Sequence, residues 1–266
     1  MRKNIQIGLL LAGAAGLFGC VPEWDEAPLT ATGEAGEEEK VSTGGSGGAT
    51  GCSGEFAGMI QANNNGEIPT PCIVASVDVR TPPSEATIQL LRGIKTVKGT
   101  LRIGAGMSLA TYFPALTSVG MLEVSGTGGN LPVLAIPSKI TSLNSLQITN
   151  SDISEITGGA GLTAIPGGIE ISQNNDLTSI KAFAKVASTS NLTLTVLPKL
   201  KTLEAFAALK SANNILINHL DSLTTIPAID VESVNDGIEV SYCDSLQTVA
   251  AFRKVEKLNR LNLSYN

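Results

Sequence analysis

The feature that most constrains this chain is a pair of apolar residues, separated by one position, that returns at nearly constant intervals from residue 77 onwards. The pairs begin at Val77, Leu101, Leu122, Leu146, Ile169, Leu192, Ile215, Ile238 and Leu261. Successive starts are 24, 21 and 24 residues apart, and then 23 residues apart five times. An internal period of about 20–50 residues is typical of stacked-repeat architectures.

Each pair predicts a short strand that turns both apolar residues to one face, because side chains alternate along a strand. Further apolar residues follow in register, as Leu177, Ile180, Phe183 and Val186 do after Ile169. One such unit cannot bury its apolar side alone, whereas stacked units form a continuous inner column. The prediction is a mainly β chain folded as a right-handed parallel β-solenoid with repeats of about 23 residues.

Only the first repeat predicts a helix. Thr81 suits the N-cap and Pro82 the first turn, and Ile88 and Leu91 follow at helical spacing. In the other repeats, apolar residues at every third position suit a 3₁₀-like turn or an irregular arm as well as a short helix.

Residues 1–19 have the pattern of an export signal. Arg2 and Lys3 precede an apolar segment at 7–18, whose 12 residues are too few to span a bilayer. We therefore expect residues 1–19 to be a signal peptide.

The segment 17–20, Leu-Phe-Gly-Cys, resembles the lipobox of bacterial lipoproteins. The resemblance implies that Cys20 is lipidated, for example with palmitate, and anchors the exported protein in a membrane. The alternative is an ordinary signal peptide with a chance cysteine. Because Val21 rather than Asp follows Cys20, the resemblance to Gram-negative sorting signals implies the outer membrane or cell surface.

The acidity of the chain belongs to one segment. Residues 21–55 hold eight acidic residues against Lys40, whereas residues 56–266 have a net charge of −1. Residues 20–51 are rich in Gly, Ser, Thr and Glu and lack an apolar pattern, which predicts a disordered tether. No basic stripe is present, so nucleic acid is not expected as a partner.

Two segments, 143–148 and 258–263, have the pattern Leu-x-x-Leu-x-apolar and resemble the leucine-rich repeat. That motif places Asn or Cys three residues after the second strand residue, as Asn174 and Cys243 do here. The same place is occupied elsewhere by Gly106, Ser151, Leu197 and Leu220. These departures resemble the receptor L domain, a leucine-rich-repeat-like solenoid. The resemblance covers residues 77–266 and implies an architecture but no ligand.

Receptor L domains often carry a cysteine pair before the first repeat. The resemblance implies a Cys52–Cys72 disulfide in an N-terminal cap at residues 52–76, which export would permit. A cysteine–metal site is the alternative. Cys243 fits either a small buried apolar residue or a reactive thiol.

Nothing in the sequence assembles a catalytic site. The one histidine, His219, lies in a turn, and no Gly-x-Ser-x-Gly elbow or complete phosphate loop is present. We therefore expect a protein that is not an enzyme, with no catalytic residue, no cofactor and no required metal. Four polar residues recur at one turn position and either bond to their own turns or bind Ca²⁺. They are Asp152, Asn175, Asp221 and Asp244.

The outward side of the predicted strands gives the candidate binding face. It combines hydroxyl groups with a partly acidic column and has no aromatic residue, although Ser and Thr also suit any solvated sheet. We call these residues the strand face: Arg102, Glu123, Ser125, Gln147, Thr149, Glu170, Ser172, Thr193, Thr195, Asn218, Glu239 and Ser241.

These observations predict a lipid-anchored cell-surface recognition or adhesion module that binds a protein or a glycan. The alternative is a passive envelope or spacer lipoprotein without a specific ligand. The expected partners are thus the membrane, through the lipid anchor, and that unknown ligand. The last predicted strand, 261–264, also leaves an open edge of the sheet. Either this edge pairs with a second copy or partner, or the sequence stops early.

Overall fold

A computed structural model describes residues 6–7, 52–63, 70–127 and 132–266. Cys20 and the predicted tether lie outside these residues. Within them the chain is mainly β, and its parallel strands stack as a β-solenoid of about eight turns spaced about 23 residues apart. The predicted solenoid is confirmed.

The described residues form strands of two to ten residues and two helices. In chain order they are β1 (Gln6–Ile7), β2 (Glu55–Gln61), β3 (Ile73–Val79), α1 (Glu85–Gly93), β4 (Thr96–Gly104), α2 (Leu109–Tyr112), β5 (Ser118–Gly126), β6 (Val133–Ile136), β7 (Ser142–Ser151), β8 (Glu155–Gly158), β9 (Ala164–Ile165), β10 (Gly168–Ser172), β11 (Ser179–Ala182), β12 (Ser188–Thr189), β13 (Asn191–Thr195), β14 (Thr202–Leu203), β15 (Ser211–Asn218), β16 (Thr225–Ile226), β17 (Ser233–Ser241), β18 (Thr248–Val249) and β19 (Arg260–Ser264).

One long parallel sheet forms the main side of the solenoid. Its strands follow the order β2, β3, β4, β5, β7, β10, β13, β15, β17 and β19, with the short β9 and β12 joined at its border. We call each of these strands, with the turn and return segment after it, a rung. The return segments pair as two smaller sheets, one of β6, β8, β11 and β14 and one of β16 and β18. Strand β1, near the start of the sequence, pairs with β18 and joins the second of these sheets.

The strand register follows the sequence period at every step. The first residue of each predicted apolar pair aligns with the first residue of the next, from Val77 opposite Leu101 to Ile238 opposite Leu261. Ile60 aligns with Val77, so β2 adds a rung before the first predicted one. The apolar pairs determine the register because a slip of one residue would expose both of them.

The core is a column of aliphatic residues inside the rungs. Leu192 and Leu194 are fully buried, as are Leu177 and Leu200 on the return segments. Two rings join this column, since Phe183 stacks on Phe206 with 5.9 Å between ring centroids. Each rung covers the apolar side of its neighbours, which accounts for the stability of units that could not fold singly.

Helix α1 forms in the first repeat as predicted, but its N-cap is Ser84 and the prediction of Thr81 is wrong. The Ser84 hydroxyl accepts a hydrogen bond from the Thr87 N–H at 3.3 Å. An N-cap side chain bonds to the N–H two or three residues on. For Thr81 the first of these is Pro83, which has no N–H, and the second is Ser84, whose N–H donates to Ala62.

The predicted disulfide is confirmed. Cys52 and Cys72 are bridged, with their Cα atoms 4.9 Å apart, and they link the starts of the first two rungs. Cys243 is a free thiol that is fully buried. Burial raises the pKa of this thiol, and the nearby Asp221 and Asp244 carboxylates add to that effect.

Candidate functional site

The structure brings the strand-face residues together on the outer side of the long sheet. The register aligns Arg102 with Glu123, Gln147 and Glu170 in one column across four strands, and the parallel column runs from Ser125 through Thr149. This follows from strand alternation, which turns residues between two buried positions outwards.

Much of the strand face is satisfied by its own neighbours. Arg102 donates from Nε to a Glu123 carboxylate oxygen at 2.8 Å, and the Gln147 amide donates to Glu170 at 3.3 Å. Ser172 and Ser241 are only 7% and 1% exposed. Their hydroxyls donate to carboxylates of their own strands. These groups therefore offer little free hydrogen-bonding capacity to a ligand.

An ion pair begins the same face on β3. Arg80 donates from Nη2 to Asp78 at 2.8 Å and from Nε to the other carboxylate oxygen at 3.0 Å. This side-chain hydrogen bond lowers the pKa of Asp78 below its ordinary value, against the opposing effect of partial burial.

Three rings form an aromatic strip at the border of the sheet, each directly after a strand. His219 stacks on Tyr242 and Tyr242 on Tyr265, with ring centroids 4.9 and 4.8 Å apart. Tyr242 is 43% exposed and Tyr265 is 72% exposed. The strip was not predicted, because His219 was interpreted as a single turn residue and no ring occupies the outward strand positions. The spacing of 23 residues between the three rings could have revealed it.

The strip belongs to a column with an unusual backbone. Six residues in the left-handed region lie at or directly after the ends of successive strands of the long sheet, with φ between 49° and 56°: Asn150, Gln173, Val196, His219, Tyr242 and Tyr265. This conformation disfavours residues other than Gly and Asn. Hydrogen bonds between rungs hold it, since the N–H groups of His219 and Tyr242 donate to the next strand at 3.2 and 3.3 Å.

A polar groove lies at the opposite border, where the strands begin. It has a volume of about 450 Å³ and is lined by Asn191, Asn214, Asp236, Asn259 and Arg260, which we call the amide groove. No role was predicted for these residues, because Asn and Asp just before an apolar pair usually belong to turns. The groove extends over four rungs, which begin with β13, and the strip lies on the last three of them.

The other predicted positions do not converge. His219 lies in the strip, with its Nδ1 hydrogen-bonded to the Asn218 side chain. Within the described ranges, no group of three or more His, Cys, Asp or Glu side chains could hold a metal ion. The turn residues Asp221 and Asp244 recur one to a rung. Among the residues that the structure describes, no helix has the length and apolar character needed to cross a membrane.

Comparison with known proteins returns no match to a protein-family model, a curated sequence or a solved structure. The resemblance to receptor L domains therefore stays a prediction, while the solenoid itself is described by the register of its strands.

Proposed function

We propose that this chain is a lipid-anchored cell-surface recognition or adhesion module that binds a protein or a glycan through its solenoid. The observation that carries the proposal is a difference between rungs. The four rungs from Asn191 onwards combine the aromatic strip and the amide groove on one sheet. A passive spacer needs only stacking and favours a surface that is uniform from rung to rung.

The geometry of these rungs suits a contact surface. Asn214 of the groove and His219 of the strip are five residues apart on one strand, a separation of about 16 Å. Tyr and His side chains provide large contact area at a low cost in conformational entropy. The hydrogen bonds between rungs fix the backbone of the strip at His219 and Tyr242, so binding there would cost little backbone conformational entropy.

The anchor rests on the sequence, in which residues 17–20 resemble a lipobox. The Cys52–Cys72 bridge is consistent with export, because disulfides persist mainly in oxidising compartments. Anchoring at Cys20 would leave the acidic tether between the membrane and the solenoid.

Metabolic labelling with a palmitate analogue tests the anchor, with Cys20→Ser as the unlabelled control. Protease added to intact cells then tests exposure of the solenoid. We expect labelling of the wild-type chain and removal of residues 56–266 by external protease. Labelling without protease access would place the solenoid in the periplasm and contradict the cell-surface proposal.

Variants of the aromatic strip distinguish a recognition function from a spacer function. Cells that carry the wild-type chain are compared, on immobilised proteins and glycans, with cells that carry His219→Ser, Tyr242→Ser and Tyr265→Ser together. Asn150→Ser with Gln173→Ser is the matched control, because both residues occupy the same column in earlier rungs. Recognition predicts adhesion that the triple variant loses and the control retains. Equal behaviour of all three would favour the spacer.

A further inference from the structure

We propose that the amide groove binds a neutral glycan chain that runs along the solenoid axis. The inference rests on the proposed function and assigns it a ligand class and a place on the surface. The groove is formed by side chains from four successive rungs and has a volume of about 450 Å³.

The groove presents hydrogen-bonding groups that the protein leaves unused. Within the described part of the chain, the side chains of Asn191, Asn214, Asp236 and Arg260 make no hydrogen bond or ion pair. Asn259 alone is engaged, since its amide donates to the Asn235 carbonyl at 2.5 Å. Each free amide offers two donors beside an acceptor, and this mixture matches hydroxyl groups, which both donate and accept.

The charge of the groove points to a neutral ligand. Asp236 and Arg260 carry opposite charges, and the other lining residues are amides. An anionic polymer such as nucleic acid requires an excess of Lys and Arg, which is absent from this lining. An apolar ligand requires apolar side chains, and none lines the groove. A carboxylate, a guanidinium and two free amides together suit the hydroxyl groups of sugars.

The periodicity of the groove points to a polymer. Asn191 aligns with Asn214, Asn214 with Gly237, and Gly237 with Arg260, so one position lines the groove in three of the four rungs, and Asp236 lines it beside Gly237 in the other. Neighbouring strands are about 4.8 Å apart. This repeat is close to the length of one sugar unit in an extended glycan chain. A chain along the axis would therefore meet at least one polar side chain of the groove at each rung.

Gly237 keeps the groove open at its third rung. A Cβ atom at this position would lie 3.1 Å from Cβ and 3.3 Å from Nε of Arg260, closer than most real contacts. The Arg260 side chain thus lies against the glycine. A larger residue at 237 would displace Arg260 and narrow the groove.

Titration calorimetry of the full chain tests the proposal, in a detergent without a sugar headgroup. The probes are neutral oligosaccharides of increasing length from glucans, mannans and galactans, with uronic-acid oligosaccharides for comparison. We expect a neutral series to bind with an affinity that rises with length and levels off once the oligosaccharide spans four rungs. Asn191→Ala combined with Asn214→Ala should weaken binding about tenfold, because two hydrogen bonds to the ligand are lost.

Asn144→Ala is the matched control, since Asn144 is an exposed residue in the first half of β7, in an earlier rung and outside the groove. It should leave affinity unchanged, and no variant should alter the melting temperature. Failure of every neutral series to bind, tighter binding of the uronic-acid series, or binding that a chelator abolishes would overturn the proposal. Neutral glycan binding that the double variant leaves intact would also overturn the groove assignment, while the proposed recognition function would stand.

Discussion

Asn174 and Asn266 make the same two hydrogen bonds in rungs that are 92 residues apart. The Asn174 side chain donates to the Ile148 carbonyl at 2.8 Å and accepts from the Ser151 N–H at 3.0 Å. Asn266 bonds to the corresponding groups of the rung before it at 2.9 and 3.1 Å. In both places an amide satisfies backbone groups at the turn after a strand.

Burial should make these two asparagines differ in their contribution to stability. Asn174 is fully buried, whereas Asn266 is partly exposed. Asn174→Ala should lower the free energy of unfolding by about 1–3 kcal/mol for each buried group left unpaired. Asn266→Ala should cost less because water can replace the amide. Urea denaturation measures both changes, and equal losses would contradict the role assigned to burial.

Replacement of Val196 should stabilise the folded chain. It is a β-branched residue at φ 54°, and it is 39% exposed. Val196→Asn should raise the free energy of unfolding by about 0.5–1 kcal/mol, because Asn tolerates the left-handed region better than Val. Val133 is a matched control, since it is 42% exposed but lies in strand β6. Val133→Asn should be neutral or destabilising, and stabilisation of both would refute the explanation by backbone conformation.

A core leucine tests the inner column. Leu246 is 1% exposed, and Leu246→Ala should lower the free energy of unfolding by about 2–5 kcal/mol, as deletion of a buried leucine side chain does. Val133→Ala, at an exposed position, should change it far less. Chemical denaturation of both variants gives the comparison. A cost near zero at Leu246 would mean that this side chain does not fill the column.

The Asp78–Arg80 pair predicts a defined pH dependence. The pKa of Asp78 is lowered in the folded chain, so the ionised carboxylate stabilises the fold at a pH above the ordinary carboxyl pKa of about 3.9. This stabilisation is lost as the pH falls below that value. The melting temperature of Asp78→Asn should lie below that of the wild type at pH 6, and the difference should vanish in acid. Asp236→Asn, which removes no ion pair of the described chain, should show no such trend.

The thiol of Cys243 should be unreactive in the folded protein. Burial and a raised pKa both lower the amount of accessible thiolate. In a Cys20→Ala chain without reductant, alkylation at pH 8 should be more than about tenfold slower in buffer than in denaturant. Mass spectrometry then gives the modified position. Rapid native modification would support the reactive-thiol alternative.

Strand positions could be predicted from the sequence because one period governs them. From Val77 to Leu261 each predicted start is paired with the next, since only this register keeps the apolar pairs inside. The start of the first helix depended on contacts of single residues. Pro83 cannot donate to Thr81, and residue preferences at a single position did not include that contact.

The candidate site was harder to predict because its parts lie outside the strand pattern. His219, Tyr242 and Tyr265 follow the strands, in a backbone region that residue preferences assign to Gly or Asn. Asn191 begins β13 and Asn214 lies in the first half of β15, and both come before the apolar pair that marks the strand in the sequence. These asparagines line one groove only because the stacking of rungs brings residues 23 positions apart side by side.

The left-handed column also separates conformation from side-chain identity. Five residue types occupy its six positions with nearly the same φ, and the N–H groups of four of them donate to the next strand whatever the side chain: Gln173, Val196, His219 and Tyr242. The side chains at these positions can therefore be exchanged while the backbone conformation stays the same. Natural variation or directed evolution could alter what this border of the sheet recognises by changing one side chain per rung.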